Sequence, residues 1–295
     1  MSEIAREIAS QPSCWRQASA VASAAAATLP QHGERVAVVG CGTSWFVAQA
    51  FASLRESGGA GETDAFTASE MPAGRTYDTV LAISRSGTTT EVERLLARVG
   101  GGTRTLAICG VDGTPIPEAA TDRLILSFAD ERSVVQTRFA TSTLALLRAH
   151  LGEDVEAMAA DGERVLASDL PFDPGAFDHF VFLGRGATVG LANEAALKFR
   201  EAAGAWSESY PAMEYRHGPI SVARPGSAIW PIGDVEADLL DDAGSTGATV
   251  VGSGMDGVDP MAELIAIQRA AVALATQRGL DPDHPRHLTR SVVLS

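Results

Sequence analysis

Residues 35–51, with the sequence RVAVVGCGTSWFVAQAF, contain a short apolar run, a glycine-rich turn and a segment of helical character. Residues 79–96, TVLAISRSGTTTEVERLL, repeat this order with a hydroxyl-rich turn. A short apolar run bounded by turn residues predicts a buried strand, and the segment after each turn predicts a helix. Buried strands that alternate with helices predict an α/β fold with a parallel sheet covered on both faces.

The pattern starts again in the second half of the chain, at residues 179–201, HFVFLGRGATVGLANEAALKFRE. The turn at 184–188 has the glycine spacing of the turn at 40–44, so we expect two copies of one α/β unit. Further strands are expected at 105–109, 124–127, 229–232 and 248–251, and further helices at 12–27, 134–151 and 260–278.

The domain organisation follows from this repeat. We expect one domain over residues 1–155, with an N-terminal helical arm, and a second domain over residues 156–279. A polar stretch at 152–174 separates the two patterns. Residues 280–295 begin as a polar, proline-rich tail, which is expected to lie over the active site.

The composition excludes several classes of protein. The chain has 37 acidic and 23 basic side chains, a formal charge of −14 that gives nucleic-acid binding no general support. No apolar run approaches the roughly 20 residues of a membrane span, so no membrane association is expected. Three cysteines without paired spacing argue against a disulfide framework or a zinc site. The N-terminus lacks the apolar core of a signal peptide, which indicates a soluble, cytoplasmic protein.

The turn at residues 84–89, SRSGTT, precedes a helix that begins with capping-box spacing at Thr90. Free amides and the helix dipole at such an N-terminus attract an anion, and serine and threonine hydroxyls suit phosphate oxygens. Gly87 would allow close approach of the backbone, and Arg85 could add a charge-assisted bond. The alternative is an ordinary capped helix. The turn at 40–44 favours the anion site, because open α/β sheets bind ligands at their carboxyl edge, where both turns fall.

A dinucleotide site is disfavoured. The pairs Gly40-x-Gly42 and Gly184-x-Gly186 resemble the start of the dinucleotide-binding fingerprint. The third glycine is absent, since Trp45 and Val189 occupy its position. We therefore do not expect a nicotinamide cofactor.

Glu194, Lys198 and Glu201 are spaced i, i+4 and i+7 and share one stripe of a predicted helix. One interpretation is a solvated ladder of ion pairs. The other is a carboxylate held beside an amine at the ligand-binding edge of the sheet, where it acts as a proton-transfer base. Lys198 is the only lysine among the 23 basic residues. Either the composition is biased towards arginine, or the position requires an amine whose pKa can shift.

His217 lies in a predicted loop. Residues 213–219, MEYRHGP, form a charged run that ends in Gly-Pro. A loop histidine is either simply solvated or, beside a bound sugar, able to pass a proton at neutral pH.

Taken in order, these motifs resemble the tandem form of the sugar isomerase (SIS) family. The likeness is closest to the isomerase half of glucosamine-6-phosphate synthase and to related phosphosugar isomerases and deaminases, and it covers nearly the whole chain. It implies two SIS-type, flavodoxin-like three-layer α/β/α sandwiches with parallel sheets. The motifs are E-I-x-x-E-I-x-x-Q-P from Glu3, G-C-G-T-S from Gly40, S-x-S-G-x-T from Ser84, E-x-x-V from Glu131, E-x-x-L-K-x-x-E from Glu194, H-G-P from His217 and P-R-x-L-x-R-S-V from Pro285.

The resemblance implies a phosphate site. The phosphate-binding hydroxyls of the family correspond here to Ser44, Ser84, Ser86 and Thr89, and Arg85 stands where the synthase has a glutamine. The implied ligand is a phosphorylated sugar.

The resemblance also implies catalytic residues. Glu201 corresponds to the base that moves a proton between C1 and C2, and His217 to the ring-opening histidine, which a neighbouring subunit supplies. Val134 would bring backbone groups near the first sugar carbons, and Glu194 and Arg290 complete the expected substrate-binding set. The implied assembly is a homodimer with shared active sites, and the chemistry needs no metal or redox cofactor.

Two features depart from the synthase. Arg290 replaces a lysine that forms an imine, and arginine stays protonated, so it cannot be that nucleophile. Lys198 matches a second active-site lysine and could assist ring opening or orient Glu201. The second departure is that no glutaminase segment precedes Met1, so we expect no ammonia production from glutamine.

Two functions remain open. The first is an enzyme that isomerises a hexose 6-phosphate derivative, or that runs in the deaminase direction and releases an amine. The second is a non-catalytic sensor that binds a phosphosugar and regulates a partner. SIS domains occur in transcriptional regulators, but those carry a basic helix-turn-helix segment, whereas this chain is acidic.

Overall fold

The computed structural model describes residues 2–99 and 101–294, which form two parallel sheets and the helices around them. The strands of the first sheet are β1 (Val36–Gly40), β2 (Thr63–Thr67), β3 (Thr79–Ser84), β4 (Arg104–Cys109) and β5 (Asp122–Ile125). The strands of the second are β6 (His179–Gly184), β7 (Trp206–Pro211), β8 (Ser227–Ile232) and β9 (Thr249–Val250). The helices are α1 (Glu3–Ala9), α2 (Gln11–Ala24), α3 (Thr43–Ser57), α4 (Thr90–Val99), α5 (Pro115–Ala119), α6 (Arg138–His150), α7 (Val155–Ala167), α8 (Thr188–Ala203), α9 (Ala237–Ser245) and α10 (Pro260–Gln277).

The first sheet has the strand order β2-β1-β3-β4-β5, and every neighbouring pair is parallel. All residues of β1 and β3 are buried. Successive side chains of a strand point to opposite faces, so this burial means that both faces of the sheet are covered. The predicted α/β fold with a parallel sheet is confirmed.

The second sheet has the order β7-β6-β8-β9 and is also parallel. Its central strand β6 is fully buried. The positions of the strands correspond between the sheets, because β1 lies between β2 and β3 as β6 lies between β7 and β8.

Two glycines fix the strand-to-helix turns at corresponding places. A Cβ atom on Gly40 would lie 2.7 Å from the carbonyl carbon and Cβ of Ser44, and one on Gly184 would lie 2.2 Å from the carbonyl oxygen of Thr188. Since the obstructing atoms include helix backbone, they cannot move away cheaply. Only glycine, whose side chain is a hydrogen atom, therefore allows the strand to approach the helix this closely at these two positions.

Some elements differ from the sequence-based expectation. The predicted helix at 12–27 is α2, and the shorter helix α1 precedes it. Helix α7 occupies much of the stretch 152–174, which the sequence indicated only as polar. The edge strands β2 and β7 were not predicted, because edge strands carry mixed polar and apolar residues and lack a continuous apolar run.

The described residues divide into two compact units, which do not coincide with the expected domains. The first unit contains the first sheet and comprises residues 13–131, 136–155 and 289–294. The second unit contains the second sheet and comprises residues 2–12, 132–135 and 156–288. Met1 and Ser295, the outer limits of the expected ranges, lie outside the described residues.

Hydrogen bonds explain why the N-terminal residues join the second unit. The carboxylate of Asp283 accepts bonds from the backbone amides of Glu3, at 2.8 Å, and Ile4, at 2.7 Å, which open helix α1. The side-chain amide of Gln11 donates to that of Gln268 at 2.7 Å. These partners lie far apart in the sequence, and local sequence patterns do not predict such contacts.

The glycine turn gives a first testable prediction. Gly184→Ala should lower the free energy of unfolding by about 1–3 kcal/mol or more, because the added methyl group would overlap the backbone of α8. The control is Gly244→Ala in α9, where no atom lies within 4 Å of the new Cβ. It should stabilise by up to about 1 kcal/mol. Urea unfolding measures both changes, and equal effects of the two substitutions would contradict the close-approach explanation.

Candidate functional site

The loop Ser84–Thr89, here called the hydroxyl loop, connects β3 to the N-terminus of α4. The Oγ atom of Ser84 lies 3.4 Å from Oγ1 of Thr89 and accepts a bond from the Gly87 amide at 3.2 Å. Gly87 has a φ of +68°, and a Cβ there would lie 2.0 Å from Oγ1 of Thr114. Glycine is therefore required, and the turn gathers hydroxyl groups at a helix N-terminus, which suits an anion.

Ser44 lies at the same edge of the first sheet as the hydroxyl loop. It belongs to the first turn of α3, which follows the carboxyl end of β1, and β1 pairs directly with β3. Ser44 and Ser84 are both buried. Ser44, Ser84, Ser86 and Thr89 thus belong to neighbouring strand-to-helix turns, as the sequence pattern predicts for a parallel sheet.

The end of the chain contacts the hydroxyl loop through residues that the sequence reasoning did not assign to the site. The Oγ atom of Ser291 accepts bonds from the hydroxyls of Ser86, at 3.1 Å, and Thr88, at 2.9 Å. The carbonyl of Val292 accepts a bond from the Thr90 amide at 3.2 Å. Both residues belong to the tail motif that begins at Pro285. The motif was noted in the sequence, but its contact with the hydroxyl loop was not predicted.

Arg85 is not placed as the sequence suggested. Its guanidinium is buried, lies 3.7 Å from the carboxylate of Glu131 and donates to the backbone carbonyl of Arg290 at 2.9 Å. Glu131 in turn accepts bonds from Thr137 and Arg138 at the start of α6. The guanidinium therefore faces buried protein groups, which differs from the expected role beside a phosphate.

Arg290 also has protein partners. Its guanidinium lies 2.5 Å from a carboxylate oxygen of Asp130 and donates a second bond to the backbone carbonyl of Glu131. An arginine cannot form an imine, and these contacts instead fix the end of the chain to the first unit.

Glu194, Lys198 and Glu201 meet on helix α8 in the second unit. The ammonium of Lys198 lies 2.5 Å from Glu201 and 3.2 Å from Glu194. The side chains of Lys198 and Glu194 are only 2% exposed, and that of Glu201 is 21% exposed. The interpretation as a solvated ladder is therefore wrong, because the lysine is enclosed.

Burial alone would lower the pKa of Lys198. The carboxylates of Glu194 and Glu201 outweigh this desolvation and hold the pKa of Lys198 above its ordinary value. Lys198 therefore stays protonated near neutral pH, and in this state it cannot act as a base or a nucleophile. Its geometry is that of a charged group that orients Glu201.

Glu201 lies farther from the second sheet than the sequence suggested. Helix α8 begins at Thr188, directly after β6, and Glu201 is in its last turn. With 1.5 Å of rise per residue, Glu201 is roughly 20 Å along the helix axis from the sheet edge. The expectation that this carboxylate sits at the carboxyl edge of the second sheet is wrong.

Glu201 instead lines a cavity of about 690 Å³ within the second unit. The cavity lies between the C-terminal ends of α8 and α10 and the segment 278–287. Its polar lining residues are Arg200, Glu201, Arg278, Asp281, His284, Arg286 and His287. The partly exposed carboxylate of Glu201 can thus meet a small molecule in a concave site.

His217 and Val134 are not among the residues that line this cavity. His217 is exposed at the end of the 3₁₀ segment Ala212–His217 and does not line the Glu201 cavity. The amide of Val134 donates to the carbonyl of Asp283 at 3.3 Å. The expected contribution of His217 from a neighbouring subunit stays a prediction.

Two further properties concern the described residues as a whole. No helix in residues 2–99 and 101–294 combines the length and apolar character that a membrane crossing requires. Within the same ranges, no group of three or more histidine, cysteine, aspartate or glutamate side chains is placed to hold a metal ion.

Comparison with a family model identifies part of the chain. Residues 30–151 match the SIS domain model, and this region includes the strands of the first sheet. The resemblance drawn from the motifs is confirmed for this region.

Sequence relatives extend the similarity over most of the chain. The chain is 28% identical to the isomerizing glutamine–fructose-6-phosphate aminotransferase of Methanothermobacter thermautotrophicus, over 98% of this chain and 57% of that protein. It is 29% identical to the aminotransferase of the same name from Acidithiobacillus ferridurans, over 73% of this chain and 44% of that protein. The chain thus spans about half the length of the curated relatives it matches.

Solved structures show the same fold. A glucosamine-6-phosphate deaminase from Thermotoga maritima is 25% identical, with a TM-score of 0.83 over 99% of this chain and 100% of that chain. The tagatose-6-phosphate ketose/aldose isomerase of Escherichia coli has a TM-score of 0.79 over 97% of this chain and 98% of that chain. Its identity is 17%, so it supports the fold alone. The chain therefore shares its fold with both enzymes and is similar in sequence to the deaminase.

The enclosed lysine gives a second prediction. Lys198→Met should lower the free energy of unfolding by about 3–5 kcal/mol, because it leaves the carboxylate of Glu194 buried without its cation. Adding Glu194→Gln should recover part of this loss. Because folding raises the pKa of Lys198, its stabilisation is complete below the ordinary value of 10.5 and declines as the pH rises through the raised value.

Urea unfolding between pH 7 and pH 11 measures this effect. The matched control is Arg94→Met on the exposed face of α4, which should change the free energy of unfolding by less than about 0.5 kcal/mol. If Lys198→Met unfolds at the same urea concentration as the control, the buried charge cluster does not stabilise the fold.

Proposed function

We propose that this chain is an enzyme that moves a proton between C1 and C2 of a hexose 6-phosphate derivative, either as an aldose–ketose isomerase or as an amino-sugar-phosphate deaminase. The observation that carries the proposal is the carboxylate of Glu201, which a buried ammonium 2.5 Å away orients at the wall of a cavity. The named relatives support the same class of substrate, since they act on fructose 6-phosphate or glucosamine 6-phosphate according to their names.

The carboxylate of Glu201 is the proposed base. In an open-chain sugar the C–H bond next to the carbonyl carbon is acidic, because its removal gives an enediol. The carboxylate takes the proton from one of C1 and C2 and returns it to the other, while a hydroxyl proton moves between the oxygens on these carbons, so that aldose and ketose interconvert with no net change in composition. Lys198, held protonated, orients this carboxylate and stabilises its charge.

Amine release uses the same proton transfer. When C2 carries an amine, the C2 proton moves to C1 and an amine proton moves to the carbonyl oxygen on C1, so that C1 becomes a CH2OH group and C2 forms a double bond to nitrogen. Water adds to that carbon, ammonia leaves, and the product is the ketose phosphate. The similarity to the Thermotoga maritima deaminase over the full length of both chains favours this direction as the second activity to assay.

The hydroxyl loop is the proposed phosphate site. Ser84, Ser86 and Thr89 supply hydroxyls at the N-terminus of α4, and Ser44 supplies another from the neighbouring turn. A helix N-terminus attracts a dianion through its free amides and its dipole, and hydroxyl groups donate to phosphate oxygens. The phosphate would anchor the sugar without taking part in the proton transfer.

We further propose that the second sheet belongs to a second SIS-type unit and that a homodimer is the functional form in the cytoplasm. The corresponding order of β2-β1-β3 and β7-β6-β8 supports the first point. His217 is exposed and absent from the lining of the Glu201 cavity, which agrees with a role in the active site of a partner chain. In that role it would open the sugar ring by passing a proton.

A non-catalytic sensor is less well supported. Enclosing an ammonium between two carboxylates carries a desolvation cost that often cancels the stability it adds. A protein that only binds phosphosugars has no need of such a cluster, whereas a proton-transfer enzyme needs an oriented carboxylate. The following tests distinguish the enzyme from a sensor.

Substituting the base gives a third prediction. Glu201→Gln should abolish turnover of fructose 6-phosphate and glucosamine 6-phosphate but preserve binding, because the amide keeps the shape and loses the proton acceptor. Coupled assays for the product sugar and for ammonia measure turnover, and calorimetry measures binding. Full activity in the variant would remove Glu201 from the mechanism. Binding without turnover by the unmodified protein would favour the sensor.

Removing phosphate-binding hydroxyls gives a fourth prediction. The double variant Ser86→Ala, Thr89→Ala should weaken binding of hexose 6-phosphates by about tenfold or more, because bonds to a charged phosphate are lost in the ground and transition states alike. The dissociation constant should rise while the maximal rate changes little. Ser245→Ala, an exposed hydroxyl on α9, is the control. Unchanged affinity in the double variant would place the phosphate elsewhere.

A further inference from the structure

The two positions that depart from the synthase lie in one network. Arg85, where the synthase has a glutamine, donates to the backbone carbonyl of Arg290 at 2.9 Å. Arg290, where the synthase has a lysine, binds Asp130 at 2.5 Å and the carbonyl of Glu131. Glu131 closes the network, since its carboxylate lies 3.7 Å from Arg85. Two cations and two anions thus fasten the end of the chain beside the hydroxyl loop.

The segment after Arg290 continues this attachment along the start of α4. The carbonyl of Val292 accepts a bond from the Thr90 amide at 3.2 Å, and the amide of Leu294 donates to the Thr90 hydroxyl at 2.9 Å. Residues 289–294, here called the terminal segment, are therefore held by backbone and side-chain bonds. Each of these bonds joins two groups of the chain.

The hydroxyl of Ser291 is placed to serve a bound anion. It accepts bonds from Ser86, at 3.1 Å, and from Thr88, at 2.9 Å. The Thr88 hydroxyl also contacts that of Ser86 at 3.1 Å, so the hydroxyls of Ser86, Thr88 and Ser291 form one cluster. A hydroxyl rotates to suit its partners, so each member of this cluster can turn its one proton towards a negatively charged group. Ser86, one of the two hydroxyls that contact Ser291, belongs to the proposed phosphate site.

We propose that Arg85 and Arg290 are positioning residues that hold the terminal segment on the hydroxyl loop before any sugar binds, so that Ser291 becomes a ligand of the phosphate monoester. This inference rests on the proposed phosphate site. Arg85 and Arg290 touch neither the phosphate nor the reacting carbons in this arrangement. They act through the terminal segment, and the site gains a donor without adding net charge.

Hydrogen–deuterium exchange tests the attachment without any substrate. In the unmodified protein the amide of Leu294 should exchange at least about tenfold more slowly than in an unstructured peptide, because it is hydrogen-bonded. Arg85→Gln should remove this protection. Arg55→Gln is the matched control. Arg55 and Arg85 lie in the same unit and are 1% and 2% exposed, respectively. The bonds of Arg55 go to Glu34, Thr63 and Gln31 and not to the terminal segment. Equal protection in all three proteins, or none in the unmodified protein, would overturn the positioning role.

Inorganic phosphate is the probe for the ligand role. Adding it should slow exchange of the terminal segment further in the unmodified protein, and Ser291→Ala should weaken phosphate binding by about tenfold while the segment keeps its protection. This variant removes one hydroxyl from an exposed segment, so it tests the inference even if Arg85→Gln fails to fold. Faster exchange on adding phosphate would mean that the anion displaces Ser291, and unchanged affinity in Ser291→Ala would remove it from the site.

These outcomes separate the inference from the proposed function. If Ser86→Ala with Thr89→Ala leaves phosphate affinity unchanged, the proposed phosphate site fails. If that double variant loses affinity and Ser291→Ala does not, the phosphate site stands and only the role of Ser291 fails.

Discussion

The ammonium group of Lys198, enclosed between the carboxylates of Glu194 and Glu201, is the interaction on which the functional interpretation depends. Two of the three side chains are almost fully buried, so water cannot replace either partner. Such a cluster persists only when its charges compensate one another closely, because each buried charge alone would be costly. This compensation raises the pKa of the lysine and fixes the one partly exposed member, Glu201, at a cavity wall.

The proposed phosphate site lies at the carboxyl edge of the first sheet. There the close approach at Gly40 and the positive φ of Gly87 bring hydroxyl groups and a helix N-terminus together. Neutral donors dominate this loop, and its buried arginine is directed at Glu131 and the terminal segment. In the proposed site, hydroxyls and amides would hold the phosphate, and such neutral donors add no second basic group.

The sequence predicted the parts of the fold that local patterns encode. Continuous apolar runs located β1, β3, β4 and β6, and glycine spacing located the turns after β1 and β6. Helix α1 was missed because seven residues are too few to be stable alone, and its start is capped by Asp283 from the other end of the chain. The edge strand β7, WSESYP, was missed because its exposed residues break the apolar pattern.

The candidate site was predicted unevenly for the same reason. Hydroxyl positions such as Ser86 followed from a strand-to-helix turn, which is a local feature. The burial of Lys198 and the inward direction of Arg85 depend on contacts between distant segments, so one sequence does not reveal them. The family resemblance predicted Glu201 as a base. The sheet topology predicted a carboxylate at the carboxyl edge of the second sheet, and this was wrong for Glu201 because it lies in the last turn of α8.

The most direct test of the central claim is a crystal structure with a non-reactive hexitol 6-phosphate. The account predicts that phosphate oxygens bind the hydroxyls of Ser86 and Thr89 and that a carboxylate oxygen of Glu201 lies within about 3.5 Å of C1 or C2. A phosphate on those hydroxyls with Glu201 far from the sugar carbons in every subunit would contradict it.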